Sequence, residues 1–103
     1  MVTYRITVRG SSYRGSNPKK RAEAAEENRA AAKLTEVING MLYHQKRPIQ
    51  VYGWPEIAVV SELPISTVAG LGFSIECGSN GFTAIRRDLT YEQALEANRL
   101  EEN

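Results

Sequence analysis

The chain has little of what disulfide-bonded domains, metal sites and membrane spans require. Its 103 residues include one cysteine, Cys77, and one histidine, His44. A single cysteine cannot form an internal disulfide, and a lone thiol fits a reducing cytosol. No apolar run approaches the ~20 residues that a membrane-spanning helix needs, and the amino-terminal segment lacks the apolar core of a signal peptide. We therefore expect a cytoplasmic protein that does not bind membranes.

Catalytic and cofactor motifs are also missing. Cys77 has no second cysteine or suitably spaced histidine, as zinc and redox motifs require. The glycines at 70 and 72 lack the rest of a phosphate-binding loop. The acidic pairs at 26–27 and 101–102 lie on predicted helices, where adjacent side chains point apart and cannot converge on one site. We expect a protein that is not an enzyme and needs no cofactor or metal.

What the chain does have is an uneven distribution of charge. Residues 1–51 carry ten Lys or Arg and four Glu, whereas residues 52–103 carry three Arg and eight Asp or Glu. A basic half joined to an acidic half is typical of a nucleic-acid-binding arm followed by a protein-facing segment. The two halves can equally pair with each other inside the fold, and the charge count alone leaves both interpretations open.

Helix and strand signals are clear at both ends of the chain. Val2–Arg9 alternates apolar and polar residues, which predicts a half-buried strand. Asn17-Pro18 is a helix start, and strong helix formers continue to about Gln45, although Gly40 favours an earlier end. Near the carboxyl end, Thr90 and Gln93 form a capping box in front of a second helix.

The stretch Ile57–Val68 permits two interpretations. Its β-branched residues favour strands. Its spacing favours two short helices joined by a tight turn at Glu62-Leu63-Pro64, because Pro55 and Glu56 suit the first turn of a helix. In the helical interpretation, apolar residues recur at the offsets that lock two crossed helices together. These residues are Ile57, Ala58, Leu63, Val68 and Leu71.

This pattern resembles the helix-turn-helix signature over residues 54–72. With the turn and strand at Gly78–Arg87 it is similar to a winged helix-turn-helix over residues 49–88. The resemblance implies binding of double-stranded DNA and regulation of transcription. It also implies that Ser66 and Thr67 open the recognition helix and that Ser79 and Asn80 form the tip of the wing.

Two features of this sequence shape that expectation. Glu62 occupies the turn position usually filled by glycine, so we expect a non-glycine residue with an unusual backbone dihedral there. The outward positions of the second helix offer no Arg, Lys, Asn or Gln to read base edges. DNA contacts are therefore expected mainly from cations that meet phosphates. The expected cations are Arg14, Lys19, Lys20 and Arg21 in a basic arm, and Arg86 and Arg87 beside the wing.

The strand interpretation leads to a different class of protein. It predicts an antiparallel meander, and a non-enzymatic α+β adaptor or inhibitor that binds a host or partner protein through an exposed apolar patch. The strands would be Ile49–Tyr52, Ile57–Ser61, Ile65–Ala69, Phe73–Cys77 and Phe82–Arg87. The patch would contain Tyr43, Tyr52, Trp54, Val59 and Val60. Each of these apolar residues can equally belong to the core.

Together, these patterns predict one α+β domain, winged helix-turn-helix-like, with an extra N-terminal strand and a long first helix. Its segments are a strand and basic loop (1–16), a helix (17–47), the helix-turn-helix and wing (48–88) and a C-terminal helix (89–103). The expected function is that of a small DNA-binding regulator of the phage or plasmid type. A homodimer and a protein partner are left open.

Overall fold

The computed structural model describes residues 1–2, 5–76 and 80–102. It is an α+β fold with four described helices and a two-stranded antiparallel sheet. In chain order the elements are α1 (Pro18–Tyr43), β1 (Ile49–Gly53), α2 (Trp54–Ser61), α3 (Ile65–Glu76), β2 (Gly81–Ile85) and α4 (Tyr91–Glu102).

Helix α1 begins where its capping residues predict. The side chain of Asn17 accepts hydrogen bonds from the backbone amides of Lys19 and Lys20, at 3.0 and 3.2 Å. The helix ends at Tyr43, so the predicted segment 17–47 is a few residues too long and the earlier end at Gly40 is wrong. Its apolar stripe packs into the core through Ala31, Leu34, Ile38 and Leu42.

The segment predicted as an N-terminal strand does not form a strand over residues 5–9. Val2 forms an isolated parallel bridge with Ala84, residues 5–9 have no strand partner, and Thr3 and Tyr4 lie outside the described residues. The alternation of burial nevertheless persists, since Val8 is buried while Arg9 is exposed.

Side chains of α1 take the place of a partner strand. Asn39 accepts from the amide of Ile6 and donates to its carbonyl, at 2.8 and 2.9 Å. Thr35 Oγ1 accepts from the Val8 amide at 2.9 Å. Closer to the N-terminus of α1, the Asn28 side chain accepts from the Ser11 amide at 2.8 Å. The spacings match, because two extended residues and four helical residues both advance about 6 Å. The segment therefore runs antiparallel to α1.

Two helices, α2 and α3, occupy the stretch from residue 57 to residue 68 on either side of a short turn. Helices α2 and α3 are joined by Glu62-Leu63-Pro64 and are bent by 117° from each other. Glu62 has the expected unusual backbone, a left-handed conformation with φ 59°. The five residues at the locking offsets all belong to the core or pack against it: Ile57, Ala58, Leu63, Val68 and Leu71.

The meander interpretation is therefore wrong, because two of its strands, 57–61 and 65–69, are helical, and residues 73–76 also belong to α3. The strand predicted at 82–87 is β2, shifted to Gly81–Ile85. It pairs with β1, which precedes the helix pair, in a register from Ile49 opposite Ile85 to Gly53 opposite Gly81. The elements described before and after residues 77–79 thus do not form a wing hairpin.

Helix α4 begins at the predicted capping box. Gln93 Oε1 accepts from the Thr90 amide at 2.9 Å, and Thr90 Oγ1 accepts from the Gln93 amide at 3.1 Å. Ala94 is fully buried, whereas Leu95 is exposed. The helix packs near β1 and leaves α3 uncovered by any described element on its outer side.

Candidate nucleic-acid interface

The basic arm lies at the free end of α1. Arg14, Lys19, Lys20 and Arg21 are all exposed, and none of them forms an ion pair within the described part of the chain. The loop before the helix is held by local hydrogen bonds, in which the Tyr13 hydroxyl accepts from the Asn17 amide at 3.2 Å. The four cations are thus presented to solvent on an ordered turn, free to meet phosphates.

The outer surface of α3 is made of small and apolar side chains. Ser66, Gly70 and Phe73 are exposed, and Thr67 is half-buried. Residues 54–76 contain three Glu and no Lys or Arg. Small side chains allow this surface to approach a DNA groove closely. It offers few hydrogen-bond groups for reading bases and no positive side chain.

The arm and α3 border one open groove. The groove has a volume of roughly 970 Å³ and lies between the first half of α1 and the α2–α3 turn. Lys20 and Tyr13 line one side, and Pro64, Thr67 and Gly70 line the other. The fold thus brings together two predicted DNA contacts, Lys20 and Thr67, that are far apart in sequence. Sequence reasoning missed other charged residues of α1 on this groove: Glu23, Glu26, Glu27, Arg29 and Lys33.

The predicted contacts near the wing have other partners. Arg86 Nε donates to Asp88 Oδ1 at 2.7 Å, and Arg86 Nη1 donates to the Lys46 carbonyl at 2.8 Å. The hydrogen bond from Arg86 lowers the pKa of Asp88 and raises that of Arg86 itself. The Arg87 guanidinium lies 4.3 Å from the centre of the Tyr43 ring. Both arginines thus contribute to local structure.

The two residues predicted at the wing tip are only partly described. Asn80 is exposed, and its carbonyl accepts from the Trp54 amide at 3.0 Å, beside the paired ends of β1 and β2. Ser79 lies outside the described residues. Asn80 is therefore the one predicted wing-tip residue that the structure describes.

The apolar patch expected of a protein-binding adaptor has a different composition from the predicted one. Tyr52 and Trp54 are buried and pack on Phe82, so they are core residues. Val59 and Val60 are 78% and 54% exposed. Ile65 and Phe73 of α3, at 52% and 56%, were not foreseen in the patch. Exposed large apolar side chains on neighbouring elements are a feature of interfaces.

Two glycines of α3 should respond in opposite ways to alanine. A Cβ at Gly72 would lie 2.6 and 2.7 Å from ring atoms of buried Trp54, whereas a Cβ at Gly70 meets nothing within 4 Å. We expect Gly72→Ala to lower the free energy of unfolding by about 1–3 kcal/mol through overpacking. Gly70→Ala should raise it by up to about 1 kcal/mol, because alanine favours helix. Urea unfolding of both variants measures the difference, and equal effects would contradict the close contact with Trp54.

Metal sites and membrane-crossing helices are two other features that residues 1–2, 5–76 and 80–102 could contain. No group of three or more His, Cys, Asp or Glu in these ranges could hold a metal ion. No single helix within them is long and apolar enough to cross a membrane, and α2 with α3 reaches that length only with a 117° bend between them.

No protein-family model, curated protein or solved structure matches the chain.

Proposed function

We propose that the protein binds double-stranded DNA as a small transcriptional regulator of the phage or plasmid type. The observation that carries the proposal is the exposed basic arm at the start of α1, of which Lys20 lines the groove that α3 also borders. Helix α3 follows α2 after a bend of 117°. A bend of about 90–120° is the geometry in which the second helix of such a pair enters the major groove. This support is an analogy of fold together with the local charge.

Charge decides how the DNA would lie. Phosphates would be repelled by Glu23, Glu26 and Glu27, which line the middle of the groove. The arm cations precede these three glutamates in the sequence and lie at the N-terminal end of α1. The sugar-phosphate backbone of the DNA would therefore contact the arm. Ser66 and Thr67 would contact the duplex but would discriminate little between bases. Binding dominated by phosphate contacts is strongly salt-dependent.

The element order supports the winged-helix form of the proposal. One helix, a strand, two crossed helices and a strand paired with the first one follow each other, as in a winged helix up to its wing. Asn80 then remains a proposed contact, together with Ser79. Arg86 and Arg87 would reach DNA only by leaving Asp88 and the Tyr43 ring, so we assign them a smaller share of the affinity than the arm.

Replacement of Lys19, Lys20 and Arg21 by Ala tests the role of the arm. We expect the affinity for mixed-sequence duplex DNA at low salt to fall at least about tenfold. The slope of log K against log salt should become shallower by about 2.7, because three phosphate contacts are lost. Gel shifts or fluorescence anisotropy over a salt series measure both quantities.

The matched control removes the same number of charges elsewhere, by Ala at Lys46, Arg47 and Arg99. These side chains are exposed and none belongs to the arm, and Arg47 and Arg99 pair with Glu101 and Glu96. The variant should therefore bind with nearly wild-type affinity and slope. Equal losses in the two triple variants would mean that net charge alone matters. Failure of the wild-type protein to shift DNA at micromolar concentration would exclude DNA binding.

A second function, a non-enzymatic adaptor or inhibitor that binds a partner protein, is favoured by one specific observation. Four large apolar side chains are more than half exposed on α2 and α3, a segment with three Glu and no cation. Such a surface is better suited to an apolar partner with a basic rim than to phosphates. It becomes the preferred function if the gel shift shows no retention.

A further inference from the structure

The first half of α1 projects from the core with one side uncovered. The molecule measures 57 × 22 × 21 Å, and the buried residues of this helix begin only at Ala31. Asn28, Thr35 and Asn39 hold the N-terminal segment on one side of the helix. The side that faces the groove carries no described element over its first turns. A projecting, partly charged helix of this kind gains stability when another element packs on it.

The groove side of α1 combines small residues with charges. Glu23, Glu26, Ala30 and Lys33 follow each other at three- and four-residue spacing and therefore share one face. On the opposite wall of the groove, Gly70 of α3 has no side chain that would narrow the groove. None of the three charged residues in this set forms an ion pair with another described residue. Their charges are thus available to a partner.

The charge order along α1 is self-complementary. If a second α1 runs antiparallel and crosses at Asn28, Glu23 of each copy lies opposite Lys33 of the other, and Glu26 lies opposite Ala30. These four residues form the contact, and the other charged residues between 19 and 37 lie on the flanks or on the far side of α1. A parallel alignment would instead place identical charges side by side, which is unfavourable. The pattern therefore selects a second copy of this chain, in one orientation.

We propose that two copies associate about a two-fold axis through the first halves of their α1 helices, each lying in the groove of the other. A contact of this kind is isologous, so every Glu23–Lys33 pair occurs twice. The surface is small, which predicts micromolar association, and partly ionic, which predicts weakening at high salt. The dimer covers the groove that Lys20 and Thr67 line, so DNA bound at that groove would compete with it, and the association is measured without DNA.

Charge reversal tests the pairing. Glu23→Lys or Lys33→Glu alone places like charges together at two symmetric contacts, and each should weaken association at least about tenfold. The double variant exchanges the charges and should return to within about threefold of wild type. Lys46→Glu makes the same charge change as Lys33→Glu at an exposed site beyond the C-terminal end of α1, so it is the control and should leave association unchanged. Sedimentation equilibrium over a concentration series measures each dissociation constant, and circular dichroism confirms that the variants stay helical.

Two outcomes would overturn the proposal. One is a wild-type protein that remains monomeric at about 1 mM, far above the concentration at which a weak interface associates. The other is a dimer that both single reversals leave intact, or that the double reversal fails to restore. Because the readout is the oligomeric state in the absence of DNA, neither outcome affects the DNA-binding proposal.

Discussion

Gly81→Ala should lower the free energy of unfolding by at least about 3 kcal/mol, the largest effect that we expect from adding one methyl group to this protein. Gly81 begins β2 and has φ 153°, a conformation that side-chain-bearing residues rarely adopt. A Cβ there would overlap the carbonyl oxygen of Tyr52 and lie 2.9 Å from the Cα of Gly53. All these atoms are backbone of the partner strand, so no side-chain rotation can relieve the clash.

The two strands would have to separate at this end. Separation would displace Tyr52 and Trp54 from Phe82, whose ring centre lies 5.3 and 5.9 Å from theirs. It would also break the 3.0 Å hydrogen bond from the Trp54 amide to the Asn80 carbonyl. The expected loss is therefore one of packing as well as of backbone strain.

A matched control is available in α1. Gly40 is helical and exposed, and a Cβ there meets nothing within 4 Å. Gly40→Ala should stabilise the protein by up to about 1 kcal/mol. Urea unfolding at one temperature compares the two variants with wild type. If Gly81→Ala unfolded with the wild-type midpoint, the close approach of β1 and β2 at this residue would be wrong.

The elements with local signals are those that could be predicted from the sequence. Asn17 and Pro18 mark the start of α1, and the Thr90–Gln93 capping box marks α4, because these residues satisfy free backbone groups next to them in the chain. The helix pair α2 and α3 was predictable for a related reason. Its apolar residues recur at offsets that two crossed helices bury on one side.

The N-terminal segment shows where local patterns stop being informative. Alternation of apolar and polar residues reports which side of an extended chain is buried, but it does not report what satisfies the backbone. Here Asn39 and Thr35 do so, more than 25 residues away in sequence. Polar residues on a predicted helix face carry no local sign of such a role, so the strand prediction was wrong for residues 5–9.

The candidate site was predictable in its parts and not in its assembly. Exposed cations in a loop with glycine and serine, such as Arg14, can be expected from the sequence alone. The groove between α1 and α3 cannot, because it depends on the angle at which the helix pair packs against the first half of α1, whose groove residues lie at least 30 positions earlier.

Gln45→Ala is the second large effect, and we expect it to lower the free energy of unfolding by about 2–4 kcal/mol. The side chain is buried and links three parts of the fold. Its Nε2 donates to the carbonyls of Arg47 and Ala84, each at 3.0 Å, and its Oε1 accepts from the Tyr52 hydroxyl at 2.9 Å. Alanine would leave a buried hydroxyl and a buried carbonyl without their partner and would open a cavity.

Gln45→Met separates the polar part of this loss from the packing part, because methionine fills a similar volume. A double-mutant cycle with Tyr52→Phe then isolates the bond between the two side chains. We expect the double variant to lose less stability than the sum of the single variants, since removing both partners leaves no unsatisfied group between them. Strict additivity in urea unfolding would mean that the 2.9 Å hydrogen bond contributes nothing.

The pH dependence of stability gives an independent test of the same site. Burial, and secondarily the Glu56 carboxylate, raises the pKa of Tyr52 above its ordinary value of 10.0. The folded protein therefore holds this proton more tightly than the unfolded chain does. The stability contributed by neutral Tyr52 is fully present below pH 10.0 and is lost as the pH rises from there through the folded-state pKa.

Tyr52→Phe cannot lose a proton, so the variant should lose less stability than wild type between about pH 9 and about pH 11. At neutral pH the wild type is the more stable of the two proteins, because it keeps the hydrogen bond between Tyr52 and Gln45. The two stability curves should therefore converge as the pH rises, and urea unfolding at a series of pH values measures both. Parallel curves across this range would mean that the Tyr52 hydroxyl is not buried against Gln45 in the folded protein.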